Sequence, residues 1–509
     1  MALRTPARFV NYPLRRLVIG CLAYSLFAPM ANAEWLEVNS DQFVIYGDQN
    51  ERELTRFAER LELFHAAMAH RFRMQQAKPS PSNRVTIYVV SNRAKVRKLA
   101  GSDDRYLAGV YLPRAGSAIA VIPKMNRASS EFELSPETIL YHEYAHHFMA
   151  GLTARAFPRW FVEGFAEFFA GVRFQPDGSV GLGAPATHRA AELTYARDVP
   201  IRRMLDFDGG AGVSKSGYDA FYGQSWVLFH YLMFAPERAG QLAQYQSLLA
   251  AGEPALDAAA GAFGDLDRLE KDMVSYQNRK KLSYLVIDGK ALKIGPITVR
   301  ALRPGEAAMM PTRIRSKAGV THEEALELLP EAQRVAGLHP DDPAVLAALA
   351  EAEFDAGNDD SAIAAADGAI AIDPIQINAH IQKGYALFRK VQKGALPKES
   401  WKDVRSQFVR ANKVENDNPI PLVQYYLSFL EQGESPTKAA VDGLEWAMVL
   451  APFDSSVRWL AAQQMIFDNR LNDAAATLAP LAYSPHPGEH TERALQLLKD
   501  VQARIGSEQ

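Results

Sequence analysis

Cysteine is almost absent. The chain has one, Cys21, inside a segment that reads as a leader. The rest therefore gains no disulfide and must stand on apolar burial and packing. Charge of one sign is also lacking: 56 Lys and Arg face 59 Asp and Glu, a formal net charge of -3. So small an excess gives no electrostatic ground for binding nucleic acid or an acidic membrane surface. Past the leader, no apolar run approaches the ~20 residues that span a bilayer, so no integral membrane segment is expected once the leader is removed. What is present is the balance of a globular chain, 48% hydrophobic and 23% charged. Its 509 residues allow about three domains at ~150 residues each.

Residues 1–33 have the order of a secretory signal peptide. Arg4, Arg8, Arg15 and Arg16 form a basic start, Leu17 to Met30 an apolar run, and Ala31-Asn32-Ala33 a cleavage site. The run is too short for a spanning anchor. Val18-Ile19-Gly20-Cys21 superficially resembles a lipoprotein box, but too little apolar sequence precedes it. The residues flanking Arg15-Arg16 fit a twin-arginine signal poorly. The expected location is the bacterial periplasm or the outside of the cell.

Periodicity divides the remainder. Trp35 to Val38, Phe43 to Tyr46, Arg84 to Val90 and Ala118 to Ile122 read as strands, and Glu51 to Phe72 as a helix with Leu54, Phe57, Leu61, Phe64 and Met68 on one face. From Glu137 to about Lys281 the pattern is mainly helical. Residues 282–316 break it: Asp288-Gly289 reads as a hairpin turn, and Pro296, Pro304 and Pro311 disfavour a long helix, so a β-like linker is expected. From 317 to 503 the chain is helical and alanine-rich, with Pro340, Pro374, Pro419 and Pro452 spaced by 34, 45 and 33 residues. The first spacing is the tetratricopeptide (TPR) period. Leu346, Leu349, Ala350, Gly357, Ala362, Ala369 and Pro374 match one repeat in detail, and the longer interval holds an insertion from Lys390 to Trp401. Such stacks present a concave face to peptides or proteins, so a protein partner is expected there.

Chemistry concentrates in two stretches. Tyr141-His142-Glu143-Tyr144-Ala145-His146-His147 contains H-E-x-x-H. Helical pitch sets His142 and His146 on one face, able to share a zinc ion, with Glu143 beside them able to take a proton from a metal-bound water. Ser135 suits the N-cap, Pro136 the first helical position, and Gly151 the stop. Trp160-Phe161-Val162-Glu163-Gly164-Phe165-Ala166-Glu167 is so apolar that its two carboxylates must be buried, and buried carboxylates are paired or metal-bound. Glu163 can supply the third zinc ligand, and Glu167 can fix a ligating histidine from behind. Gly164 suggests close approach to the metal helix. His147 and His230 are assigned to packing or to places behind the ligands rather than to the metal.

HEYAH followed by WFVEGFAEF resembles the gluzincin clan of metallopeptidases, above all its peptidase-MA-like bacterial members with C-terminal TPRs. The likeness covers about Phe43 to Tyr231, with a shorter loop between His146 and Glu163 than better-known members have. It implies an α+β zincin-like catalytic domain at 34–281 (an α/β part 34–125, a helical part 126–281) followed by an all-α TPR-like superhelical domain. It also implies one Zn2+ per chain on His142, His146 and Glu163, with Glu143 as general base and Glu167 behind the ligands. Tyr222, or Tyr218 in its place, would stabilise the oxyanion. The strand bearing Ser117, Ile119 and Val121 would bind a peptide or protein substrate by strand addition. No Gly-x-Met-Glu-Asn stretch is present, which favours an endopeptidase over an aminopeptidase. Two other readings stay open: an inactive periplasmic TPR scaffold that retains a peptidase fold, and a zinc hydrolase acting on a non-peptide substrate.

Overall fold

The computed structural model describes residues 35–508 apart from 76, 103–106, 108, 117, 125–131, 133, 154, 207–218, 485–487 and 489. The segment expected to be a signal peptide with its cleavage site, Ser117 and Tyr218 lie outside the described residues.

Strands β1 (Leu36–Asn39), β2 (Phe43–Gly47), β3 (Val85–Val90), β4 (Val110–Leu112), β5 (Ile119–Pro123) and β9 (Thr298–Ala301) form one sheet in the order β4-β5-β3-β2-β1-β9. β2, β3 and β5 run parallel, and the outer strands are antiparallel. Parallel neighbours need a crossover, which α1 (Glu51–Phe72) supplies between β2 and β3, capped by the Asn50 side chain on Glu53 N. The parallel strands are covered on both faces, as their unbroken apolar runs require. Phe43, Ile45, Ile87, Val89, Ala120 and Ile122 face the main core, which includes Leu54, Phe57, Leu61, Phe64 and Met68 of α1. Their alternates Val44, Tyr46, Tyr88, Val90, Ile119 and Val121 face a second core with α2 (Arg93–Ala100) and α11 (Pro304–Ala318).

Under the main face lie α3 (Pro136–Leu152) and α4 (Arg159–Ala170). Ser135 caps α3 at Thr138 N, 3.0 Å. Gly151 is not its stop: the helix runs through it and ends where Thr153 turns extended. Then come α5 (Ala190–Tyr195), α6 (Ile201–Leu205), α7 (Phe221–Phe234), α8 (Gln241–Ala250), α9 (Ala255–Phe263) and α10 (Leu266–Gln277). A Cβ at Gly164 would stand 2.6 Å from Ser225 O and 2.9 Å from Phe229 Cβ. The close approach that Gly164 permits is thus to α7, not to α3.

The linker expected at 282–316 is instead structural. β8 (Leu285–Ile287) completes a small sheet with β6 (Arg173–Phe174) and β7 (Val180–Leu182), while β9 pairs with β1. No hairpin joins β8 to β9, because each satisfies the open edge of a different sheet. The prolines do not prevent α11: Pro304 takes the first helical position, where no donor is needed, and Pro311 is exposed on the helix. Met310 and Ile314 of α11 enter the core beneath the sheet, and Met309 enters the first core of the array.

The array comprises α12 (His322–Leu338), α13 (Pro343–Asp355), α14 (Asp359–Ile372), α15 (Ile377–Gln392), α16 (Trp401–Val414), α17 (Pro419–Gln432), α18 (Lys438–Leu450), α19 (Ser455–Phe467), α20 (Leu471–Ala482) and α21 (Thr491–Glu508). In the best-matched repeat, buried Ala350, Ala362 and Ala369 let α13 and α14 approach, and Gly357 turns the chain at φ 85°. The insertion extends the α15–α16 connection, where Trp401 packs edge-on to Phe388 at 4.9 Å.

Candidate metal centre

α3 and α4 pack against each other and bring their polar positions to one point. His142 Nε2 and His146 Nε2 are 3.1 Å apart, and Glu163 Oε2 lies 3.4 and 3.5 Å from them. One ion bound at ~2.0–2.1 Å in tetrahedral geometry would separate its ligand atoms by about 3.3 Å, so the three atoms match the edges of such a site. Among the described residues, these three form the one group of His, Cys, Asp and Glu suited to hold a metal.

Glu163 and Glu167 are fully buried. Two buried carboxylates demand positive charge nearby. Burial opposes charge on His142, yet Glu167 and Glu163 outweigh it and push the imidazole up to about 10. Burial would raise Glu163, and its contacts with His142 and His146 hold it well below the usual carboxylate range instead. His142 Nδ1 is 3.1 Å from Glu167 Oε1. A proton held on Nδ1 toward Glu167 leaves Nε2 as the donor atom.

Glu167 serves more partners than the sequence suggested. It accepts from His188 Nε2 at 2.8 Å and from the Arg189 guanidinium, whose Nε is at 3.1 Å. Arg189 Nη1 reaches Glu192 at 3.1 Å, and Glu192 accepts from Gly223 N at 2.7 Å. A chain of charge-assisted bonds thus runs from His142 to the first turn of α7. His188, Arg189 and Glu192 carried no sequence signal beyond the need of a buried Glu167 for several donors. Tyr222 stands on the same turn, its ring 6.4 Å from that of His142 and its hydroxyl accepting from Arg159 Nη2 at 3.3 Å. Burial pushes that hydroxyl upward.

Glu143 and His146 line a cavity of about 410 Å³. One side belongs to the α+β part, through Tyr111, His147 and Phe157, and the other to the array, through Phe453, Arg458 and Tyr483. His147 packs, as expected: Nδ1 is 2.6 Å from Tyr111 Oη, and its ring lies 4.3 Å from that of Phe453. His230 is also a packing residue, buried beside Tyr276. The strand expected to bind substrate does not lie at an edge. Ile119 and Val121 are buried in β5, paired on one side with β3 and on the other with β4, so their backbone has no free ladder.

No family model matches the chain, and no curated protein matches it. Solved structures similar to it include TTC0263, a thermophilic TPR protein of Thermus thermophilus, at 20% identity over 38% of this chain and 90% of that one, TM-score 0.28. Yeast Tom70 matches at 12% identity over 72% of each chain, TM-score 0.28. The sequence expectation is corrected on this point: no family model and no curated peptidase matches the chain. Membership of the gluzincin clan, and the hydrolase and metalloprotease activity drawn from it, find no counterpart and are not carried forward.

Proposed function

We propose that this chain is an exported protein-interaction scaffold, in the periplasm or outside the cell, whose TPR-like array engages a protein partner and whose α+β part retains a peptidase-like arrangement as a rigid base. The observation that carries the reading is the seating of the array against that base, beside the metal centre through Phe453 and around the sheet through Asp454 and Asp417. Phe453 lies against His147, and Ala115 N donates to Asp454 Oδ2 at 2.7 Å. Ser80 N donates to Asp417 Oδ2 at 2.8 Å. The cavity beside Glu143 and His146 is lined on one side by the array residues Phe453, Arg458 and Tyr483.

The scaffold holds one zinc ion on His142, His146 and Glu163, a donor set of two imidazoles and a carboxylate suited to that metal. When bound, the ion cross-links α3 to α4. Glu167 orients His142, and His188 and Arg189 hold Glu167 in turn. Zinc content of residues 34–509 is expected at about one per chain and is expected to be lost in His146→Ala. Equal zinc in both proteins would place the ion elsewhere.

The functional reading is tested by offering a peptide library to zinc-loaded protein and to Glu143→Gln. Expected is peptide binding by both with cleavage by neither. Cleavage by the wild type that Glu143→Gln abolishes would overturn the scaffold reading.

A further inference from the structure

On the opposite face of the sheet from the metal centre, a second cavity of about 650 Å³ separates β2 and β3 from the inner helices of the array. The sheet contributes Tyr46 and Tyr88, stacked with ring centroids 5.5 Å apart. α11 contributes Arg313 and Lys317, α13 contributes Glu351, and α15 contributes Asn378 and Gln382.

Most of these polar groups satisfy one another. Lys317 Nζ reaches Glu351 at 2.9 Å and Asn378 Oδ1 at 3.3 Å, and Asn378 Nδ2 donates to Glu351 at 3.0 Å. Asp454 is engaged by backbone amides of α19 and by Ala115 N, and Glu415 by Ser82 through one oxygen only.

Besides Glu415 Oε2 and Ser316 Oγ, which are buried without a hydrogen-bond partner, two groups on the wall have capacity to spare. Arg313, half-buried, lies 4.8 Å from the centroid of the Tyr46 ring and donates through Nη2 to the Tyr46 hydroxyl at 3.3 Å. It forms no ion pair among the described residues. Its hydrogen-bond partners are phenols, and burial pushes the Tyr46 hydroxyl up to about 12; Glu37 acts on its charge without pairing with it. A guanidinium has five donors in a fork that fits a carboxylate. Gln382 is only 4% exposed, and its Oε1 has no hydrogen-bond partner. Buried acceptors are seldom left so.

We propose that this cavity binds a small organic anion whose carboxylate pairs with Arg313 and which carries a hydrogen-bond donor for Gln382 Oε1, the chemistry of a hydroxy acid. Ala344, Ala347 and Ile381 give it an apolar wall. The site is independent of the metal centre and of the scaffold reading.

The test is calorimetric titration of the full mature chain with malate, with succinate (the same diacid without the hydroxyl) and with inorganic phosphate. Malate is expected to bind saturably and more tightly than succinate. Arg313→Gln is expected to weaken malate at least ~10-fold, the scale of one charge-assisted pair, while Arg313→Lys retains part of the affinity. Gln382→Leu is expected to bring malate and succinate level, and circular dichroism checks that each variant folds. Failure of both diacids to saturate, binding of phosphate alone, or malate binding unchanged in Arg313→Gln would each overturn the proposal.

Discussion

His230 shows what one buried side chain does for this fold. Its Nε2 lies 3.0 Å from both Gly183 O and Ser283 O, so that nitrogen carries the proton, and its Nδ1 accepts from the Tyr276 hydroxyl at 2.8 Å. It thereby ties α7 to the loop after β7, to the segment before β8 and to α10. Burial lowers its pKa from 6.5 to about 4, only partly offset by the two carbonyls. Tyr276, the titratable group facing it, stays neutral because burial pushes its hydroxyl up to about 12. Between pH 6.5 and 4 the unfolded chain takes a proton that the folded chain refuses. The contribution is therefore complete above pH 6.5 and is lost as pH falls toward 4, by ~1.4 kcal/mol per unit, about 3 kcal/mol in all. Urea unfolding of wild type and His230→Gln from pH 8 to pH 4 should show the stability gap shrinking on acidification. A gap independent of pH would refute this account. Legibility at this scale followed the range of the interaction. His142 and His146 are one turn apart, and Glu163 and Glu167 stand out as carboxylates in an aromatic helix. His188 and Arg189, which hold Glu167 from another loop, looked like ordinary surface residues.

At the scale of elements, local signals were read well and edge partnerships were not. The Glu51–Phe72 helix and the Ser135-Pro136 start of α3 follow from periodicity and capping, which depend on neighbours in sequence. The fates of β8 and β9 depend on which sheet edge is open, and that is set by residues more than a hundred positions away. For the same reason β5 was taken as an edge: the short β4 that covers it has too little pattern to announce itself. The turn before α19 couples the two scales. Asp454 Oδ1 caps α19 at Ser456 N and Val457 N, 2.8 and 3.0 Å, while its Oδ2 accepts from Ala115 N of the sheet part. Asp454→Ala removes both the cap and the tie and should cost about 2 kcal/mol. Asp454→Asn, which keeps a good capping oxygen, should cost less than half of that. Denaturant midpoints of the three proteins decide it, and equal losses in Ala and Asn would show that the cap contributes nothing.

The whole molecule is more than a base with an appended array, because α11 belongs to both: Met310 and Ile314 pack under the sheet, and Met309 packs among α12 and α13. The Phe453–His147 contact closes the other side, and the Asp454 tie joins the array to Ala115. From the sequence, composition and the 34-residue spacing reveal the array, but nothing in it shows that the array would fold back on the sheet part, since that packing is carried by single residues scattered over both. The arrangement makes a thermodynamic prediction. If the contacts couple the parts, the chain from Glu34 to Gln509 unfolds as one unit, and a ligand of one part stabilises both. Zinc bound only by the native chain adds RT ln(1 + [Zn]/Kd), about 4 kcal/mol at a thousandfold excess over Kd. Calorimetry of the metal-free protein should show a single transition, displaced upward as a whole when zinc is added. Phe453→Ala should loosen the coupling, separating an array transition that no longer follows zinc. Two resolved transitions in the wild type, only one of them sensitive to zinc, would mean that the array stands independently of the metal centre, and the seating on which the scaffold reading rests would lose its energetic basis.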